Sequence, residues 1–312
     1  MIATVTLNPS LDEWMRLPSL RVGQLNRATG FARYPGGKGI NVSRVVHELG
    51  GRTIAFALAG GEDGMILRHL MNQLAIPHDF VTVSGSMRNN YKIRTGAPRA
   101  LTEINTAGPP VSSSALHALE RRLFGRTHRF RSVVFSGSLP PKVPSTTYQR
   151  WIRLMRRRGI PTVLDTSGTA LRAGLAARPW LVKPNRQEAE ELLARRLSGL
   201  SALVRAARQL CRHGSEVVIL SLGRDGAVMA AGDDSAVWLG RPPSIAVDSA
   251  VGSGDSLIGG FLVGWMRSRS LLEAFRLGIA SGTAATMTPG TELCRRADVR
   301  RLLSRVTIKR LA

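Results

Sequence analysis

The 312-residue chain carries 44 Lys and Arg against 21 Asp and Glu, a formal net charge of +23, with 43% hydrophobic and 5% aromatic residues. That hydrophobic share and a mean hydropathy near zero exclude a disordered or membrane-embedded chain, and no apolar run is long enough to span a bilayer. The charge is compatible with a nucleic-acid partner, but the Arg residues are scattered, no basic tail occurs and few aromatics are available for base stacking, so solvated basic faces are the favoured explanation.

The opening residues, MIATVTLNPS, have neither a basic leader nor a cleavage site and predict a first strand. Residues 11–35 and 84–107, the latter with NNYKIRT and ALTEIN, show the polar alternation expected of antiparallel strands. Elsewhere apolar runs alternate with helical patterns. RTIAFALAG (52–60) precedes DGMILRHLMNQLA, SVVFSGSLPP (132–141) precedes TTYQRWIRLMRRRG, and PTVLDTSG (161–168), WLVKPN (180–185) and EVVILSLG (216–223) follow. This order predicts an α/β fold whose mostly parallel central sheet is covered on both faces. Ligands of such sheets gather at the carboxyl ends of the strands, where SGS, DTSG, KPN and SLG all fall. Segments 11–35 and 84–107 then predict a small sheet serving as a lid. No repeat, low-complexity tract or linker divides residues 1–312, so one domain is expected. Cys211 and Cys294 are too few for a disulfide framework or a metal site and fit a reducing cytoplasm.

Three segments carry chemistry. DSAVGSGDS (248–256) sets Asp255 among glycines ahead of the helix-like run LIGGFLVGW. Glycines at a helix N-terminus let an anion approach free N–H groups, and the acid is either a cap or a base beside that anion. PGGKGIN holds Lys38 in a second glycine loop that lacks Walker spacing. KPNRQE offers Asn185 and Glu188, either an ordinary helix start or the amide and carboxylate of a Mg2+ outer shell. A dinucleotide fingerprint, a Ser-His-Asp arrangement and metal-ligand spacing of His and Cys are all missing. Phosphoryl transfer needs donors for the moving group, Mg2+ near the phosphates and a base for the attacking hydroxyl, and the three segments together offer them.

With those residues in place, the chain resembles the ribokinase-like (PfkB) carbohydrate kinases, in the subgroup of 1-phosphofructokinase, tagatose-6-phosphate kinase and the minor 6-phosphofructokinase. The likeness is carried in order by TLNPSLD (6–12), GGKGINVSRVVHELGG (36–51), TEIN (102–105), SGSLPP (136–141), DTSG (165–168), WLVKPN (180–185), SLGRDGA (221–227), VGSGDS (251–256) and GTAAT (282–286). The resemblance implies a Rossmann-like three-layer domain with a β-lid through which two copies dimerise. It implies that Asp255 is the base and that the amides of Gly252, Ser253 and Gly254 form the anion hole. Asp12, Gly36, Gly37 and Asn41 are implied to bind sugar hydroxyls. Lys38 and Arg88 would take the phosphate already on the substrate, with Ser138 nearby and Asn90 and Lys92 as weaker candidates. Lys183, Asn185, Ser221, Gly223 and Gly226 would line the ATP pocket, and Asn185 with Glu188 would organise Mg2+. Two departures stand out. Ser253 replaces the family's usual Ala, and Ala250 replaces a Thr that offers a nucleotide or K+ contact.

Lys38 adds a point charge where the minor 6-phosphofructokinase has a fourth glycine. Fructose 1-phosphate, phosphorylated at O6 by ATP, is therefore the expected acceptor. Fructose 6-phosphate and tagatose 6-phosphate are the alternatives within the family, and a non-catalytic polyanion or nucleic-acid binder is the alternative outside it.

Overall fold

The computed structural model describes residues 1–98, 100–232 and 236–311. Along these the chain runs β1 (Ile2–Thr6), β2 (Ser10–Leu17), β3 (Gly30–Gly36), α1 (Lys38–Glu48), β4 (Thr53–Gly60), α2 (Gly61–Gln73) and β5 (His78–Val83). There follow β6 (Arg88–Thr95), β7 (Ala100–Asn105), α3 (Ser113–Phe124), β8 (Ser132–Ser136), α4 (Thr147–Arg157), β9 (Thr162–Asp165), α5 (Gly168–Leu175) and β10 (Leu181–Val182). The last part comprises α6 (Arg186–Leu193), α7 (Gly199–Arg212), β11 (Val217–Ser221), β12 (Ala227–Ala231), β13 (Ala236–Arg241), α8 (Ser253–Ser268), α9 (Leu271–Ala285), α10 (Arg296–Leu303) and β14 (Thr307–Arg310).

In the ten-stranded sheet the run β11-β10-β9-β8-β1-β4-β5 is parallel, while β12, β13 and β14 extend one edge antiparallel. Strand alternation divides the core between the two faces. Val133 and Phe135 of β8 pack with Tyr148 and Trp151 of α4, while Val134 between them joins Val45 of α1 and Ile258 of α8. Helix α8 is buried along residues 255–264, as the apolar run 257–264 requires, and carries Asp255 and Ser256 into the interior with it. Its glycines let it sit unusually close to its neighbours. A Cβ at Gly259 would lie 2.5 Å from Val45 Cγ1, and one at Gly264 would lie 2.7 Å from the Ala274 Cα. Parallel order puts the ends of β1, β8, β9, β10 and β11 along one edge, so Asn8, Ser138, Asp165, Lys183 and Ser221 share it.

The second sheet has the order β3-β2-β6-β7. Its strands come from the two segments expected to alternate, although Arg99, within 84–107, lies outside the described residues. The expected antiparallel pairing holds within each segment, β2 with β3 and β6 with β7, but β2 and β6 pair parallel. The intervening β4-α2-β5 unit turns the chain back so that β6 starts level with β2, a crossover that local alternation cannot reveal. Among the described residues no helix is long and apolar enough to cross a membrane.

Candidate active site

The glycine-rich loop before α8 ends in Gly252, which has φ 73° and caps the helix. A side chain there would be strained by the left-handed backbone and would collide with Leu293. Both the amide and the hydroxyl of Ser253 turn back onto the Ala250 carbonyl, at 3.4 and 2.9 Å. The hydroxyl that replaces the expected methyl is therefore engaged locally. Among the described residues the amides of Gly254 and Asp255 have no acceptor and remain as donors, with the positive end of the helix dipole behind them.

Asp255 is 6% exposed and accepts a 2.8 Å hydrogen bond on Oδ2 from the Asn41 side-chain amide. Asn41, expected among the sugar-hydroxyl ligands, is thus turned onto the acid. Its own Oδ1 accepts from Arg44, whose guanidinium also donates to the Pro35 and Thr291 carbonyls. Burial, and then the negative charge of Asp165, push the Asp255 carboxyl up to about 6, against the opposing pull of Lys38, Asn41 and Lys183. A carboxylate titrating there is suited to proton transfer near neutral pH.

Asp165 was not singled out by the sequence beyond its place in DTSG. Its fully buried side chain accepts from Lys38 Nζ and from Lys183 Nζ on the same oxygen, Oδ1, each at 3.3 Å, while Ser136 Oγ donates to Oδ2 at 3.4 Å. The available signal was an acid closing an apolar strand at the loaded edge of the sheet. The Asp165 charge holds Lys38 protonated well above the ordinary lysine range. Lys183 also adjoins the anion cradle, since a Cβ on Gly254 would lie 3.2 Å from its Nζ.

On the side of the four-stranded sheet, buried Asp12 accepts from Ser10 Oγ at 3.0 Å, Asn90 Nδ2 at 2.8 Å and Lys92 Nζ at 2.9 Å. Gly36 faces that carboxylate so closely that a Cβ would overlap it, and Gly37 forms the entry to α1. Arg88 donates to the Asn8 carbonyl at 3.1 Å and to Asn90 Oδ1 at 3.2 Å. Asn8 in turn donates to Ser138 Oγ at 3.1 Å, and a Cβ on Gly137 would lie 3.9 Å from the Lys38 Cβ. The three candidates for an anionic group, Lys38, Arg88 and Ser138, therefore border one region, bridged by Asn8, which sequence reading passed over. Further along β6, Arg94 donates at 2.8 Å to both the carbonyl and Oδ1 of Asp248, tying the small sheet to the loop that leads into the cradle.

On the opposite side, Asn185 and Glu188 form a reciprocal capping box for α6: Glu188 N donates to Asn185 Oδ1 and Asn185 N to Glu188 Oε2, each at 2.8 Å. The spacing N-x-x-E carried that signal. Glu188 Oε1 stays outside the box, and no cluster of three or more His, Cys, Asp or Glu exists among the described residues. One free carboxylate oxygen suits Mg2+ held largely by water and substrate phosphates, not by a protein cage. Ser221 bridges to Asn185 across the strand ends, and Gly223 and Gly226 flank the following turn at φ 62° and 92°.

Comparisons with known proteins identify the family of the chain. The model of the pfkB family carbohydrate kinases matches residues 5–298. The chain is 35% identical over 313 residues to 1-phosphofructokinase of Bacillus subtilis, covering 100% of both proteins. It is likewise 35% identical to the ATP-dependent 6-phosphofructokinase isozyme 2 of Mycobacterium tuberculosis, over 96% of this chain and 88% of that protein. The crystal structure of phosphofructokinase-2 from Escherichia coli in complex with substrates and products superposes with a TM-score of 0.91 at 32% identity, covering 97% of this chain and 98% of that one.

Proposed function

The chain belongs to the pfkB family of carbohydrate kinases, and on that premise we propose that it transfers the γ-phosphoryl group of ATP to O6 of fructose 1-phosphate, giving fructose 1,6-bisphosphate and ADP. The observation that carries this reading is Asp255, a buried acid fixed by Asn41 beside the free amides at the start of α8. In the proposed reaction Asp255 takes the proton of the acceptor hydroxyl. The hydroxyl oxygen bonds to the γ-phosphorus as the bond from that phosphorus to the β–γ bridging oxygen breaks, and ADP departs. The amides of Gly254 and Asp255, with that of Gly252 in the same loop, stabilise the charge on the moving group, whereas the Ser253 amide expected in the anion hole is engaged by the Ala250 carbonyl. Lys38, Arg88 and Ser138 hold the resident phosphate, and Asp12, with Gly36 and Gly37 leaving room, orients the sugar. Lys183, Ser221, Gly223 and Gly226 line the nucleotide side.

Bound Mg2+ supplies charge neutralisation for the ATP phosphates, and Glu188 Oε1, backed by Asn185, would hold it through water. Phosphofructokinase-2 from Escherichia coli has also been solved in complex with potassium, and we include K+ as an activating ion on that likeness. The reading takes residues 1–312 as one kinase domain, with the sheet of 11–35 and 84–107 as its lid. Exposed Phe31 and Ile104 on the lid strands support a homodimer joined there, and free Cys211 and Cys294 support a cytoplasmic setting.

Similarity to the 6-phosphofructokinase isozyme of Mycobacterium tuberculosis, equal in identity, favours fructose 6-phosphate as the second reading. A coupled ADP-release assay on fructose 1-phosphate, fructose 6-phosphate and tagatose 6-phosphate decides. We expect the highest kcat/KM on fructose 1-phosphate. A higher value on either other sugar reassigns the acceptor. No turnover on any of them, with tight salt-dependent nucleic-acid binding, replaces the kinase by a polyanion binder.

A further inference from the structure

We infer that Asp165 is a positioning residue that sets the two substrates' phosphates against each other, because one buried carboxylate oxygen is shared by a lysine from each side of the site. The inference rests on the placement of Lys38 toward the phosphosugar and Lys183 toward the nucleotide. The two lysines come from different elements, Lys38 from the first turn of α1 and Lys183 from the end of β10. They converge on Asp165 Oδ1, each at 3.3 Å. The Asp165 side chain is wholly buried, and that of Lys183 is 6% exposed, whereas Lys38 is 41% exposed and open to an incoming anion.

A buried carboxylate tolerates the partial withdrawal of one cation only by drawing harder on the other. When a sugar phosphate arrives at Lys38, the ammonium divides its charge between that phosphate and Asp165. Asp165 then leans on Lys183, which lies beside Gly254 and the cradle. A nucleotide phosphate reaching for Lys183 must now compete with a carboxylate that has lost part of its compensation from Lys38. The same holds in reverse, since a coupling between two binding events is reciprocal. Ser136 Oγ, the remaining hydrogen-bond donor on the carboxylate among the described residues, at 3.4 Å, is neutral and cannot replace a departing charge. The two substrates therefore bind with mutual antagonism beyond the simple repulsion of their phosphates, and Asp165 is the source of the excess.

The test measures binding, not turnover. Affinity of the non-transferable analogue AMP-PNP, with Mg2+, is titrated with and without saturating fructose 1-phosphate. In the unmodified protein the sugar should weaken AMP-PNP binding about tenfold, within the range common for coupled sites. In Asp165→Asn the penalty should fall to about twofold or less. An equal penalty in both proteins overturns the inference. Should Asp165→Asn fail to fold, Lys38→Met provides a second measurement that needs no sugar. Losing Lys38 leaves Asp165 to Lys183 alone, so AMP-PNP should bind severalfold more weakly although Lys38 faces the other substrate. Unchanged AMP-PNP affinity in folded Lys38→Met overturns the inference as well. This last readout separates the inference from the kinase reading, which fails on its own if the unmodified protein turns over no phosphosugar.

Discussion

Replacing Asp255 by Asn keeps the size of the side chain and an oxygen for the Asn41 amide to donate to, but removes the capacity to carry off a proton. A positioned general base contributes roughly two to four orders of magnitude to rate, about 3–5 kcal/mol of activation free energy, so kcat should fall by that factor while ATP binding is kept. The environment of the acid adds a second, sharper expectation. With its carboxyl pushed from 3.8 up to about 6 by burial and Asp165, wild-type kcat should fall about tenfold per pH unit below that point, and the residual activity of Asp255→Asn should lose this acid limb. Stability should move in the opposite direction to activity. The folded pKa lies above the unfolded one, so the contribution of this group is fully present below about pH 4 and is lost as pH rises through about 6. At pH 7–8 the neutral Asn variant should therefore be more stable than wild type, by an amount on the order of 3 kcal/mol at most, and the gap should close on acidification. Stopped-flow or coupled kinetics from pH 5 to 8, with urea unfolding over a wider range, measure all three. Near-normal kcat in the folded variant, or an unchanged acid limb, would refute the assignment of the base and leave Asp255 as a helix cap.

Lys38→Ala should raise KM for the phosphosugar about ten- to a hundredfold and KM for ATP only severalfold, as steady-state kinetics with each substrate varied will tell; equal changes contradict the placement. Asn41→Leu removes the hydrogen bond that favours ionised Asp255, so the acid limb of kcat should shift upward by about one pH unit. Glu188→Gln retains an oxygen for the capping box, so thermal unfolding should hardly change, while the Mg2+ concentration giving half-maximal activity rises about ten- to a hundredfold. Arg94→Ala frees the Asp248 loop from β6, and hydrogen exchange across residues 246–252 should accelerate with phosphosugar bound; unchanged protection there argues against a lid tied to the cradle.

The alternation of apolar runs with helical patterns was enough to forecast a parallel sheet with its chemistry at one edge, because period and order are local properties. Pairing across long stretches is not local, and the parallel match of β2 with β6 depends on how β4-α2-β5 returns the chain. The same limit governs the site. Asp255 and Lys38 were marked by the glycines around them, since close approach leaves a trace in the adjacent sequence, whereas Asp12 was implied only by the resemblance of TLNPSLD to the family. Asp165 and Asn8 sit at strand ends without such a trace, and only the folded sheet brings Asp165 between Lys38 and Lys183. Asn41 had been expected to face the sugar. A single helical turn separates Lys38 from Asn41, and which of them meets Asp255 depends on the packing of α1 against α8, set by contacts such as Val45 with Gly259.

The distribution of charge between surface and cleft separates the capture of a substrate from what happens to it afterwards. At +23 the chain as a whole draws anions through solvent over distances that salt can screen. Deep in the cleft, however, Lys92 is matched by Asp12, and Lys38 and Lys183 are matched by Asp165 and Asp255. At the lysines an arriving phosphate is retained only if its shape lets it take over hydrogen bonds that an internal carboxylate already uses, while Arg88 donates to the neutral Asn8 carbonyl and Asn90 side chain. Added salt should thus slow the arrival of every anionic substrate alike while scarcely touching the rate once the cleft is filled, so that a crowded mixture of anions is collected broadly and sorted late.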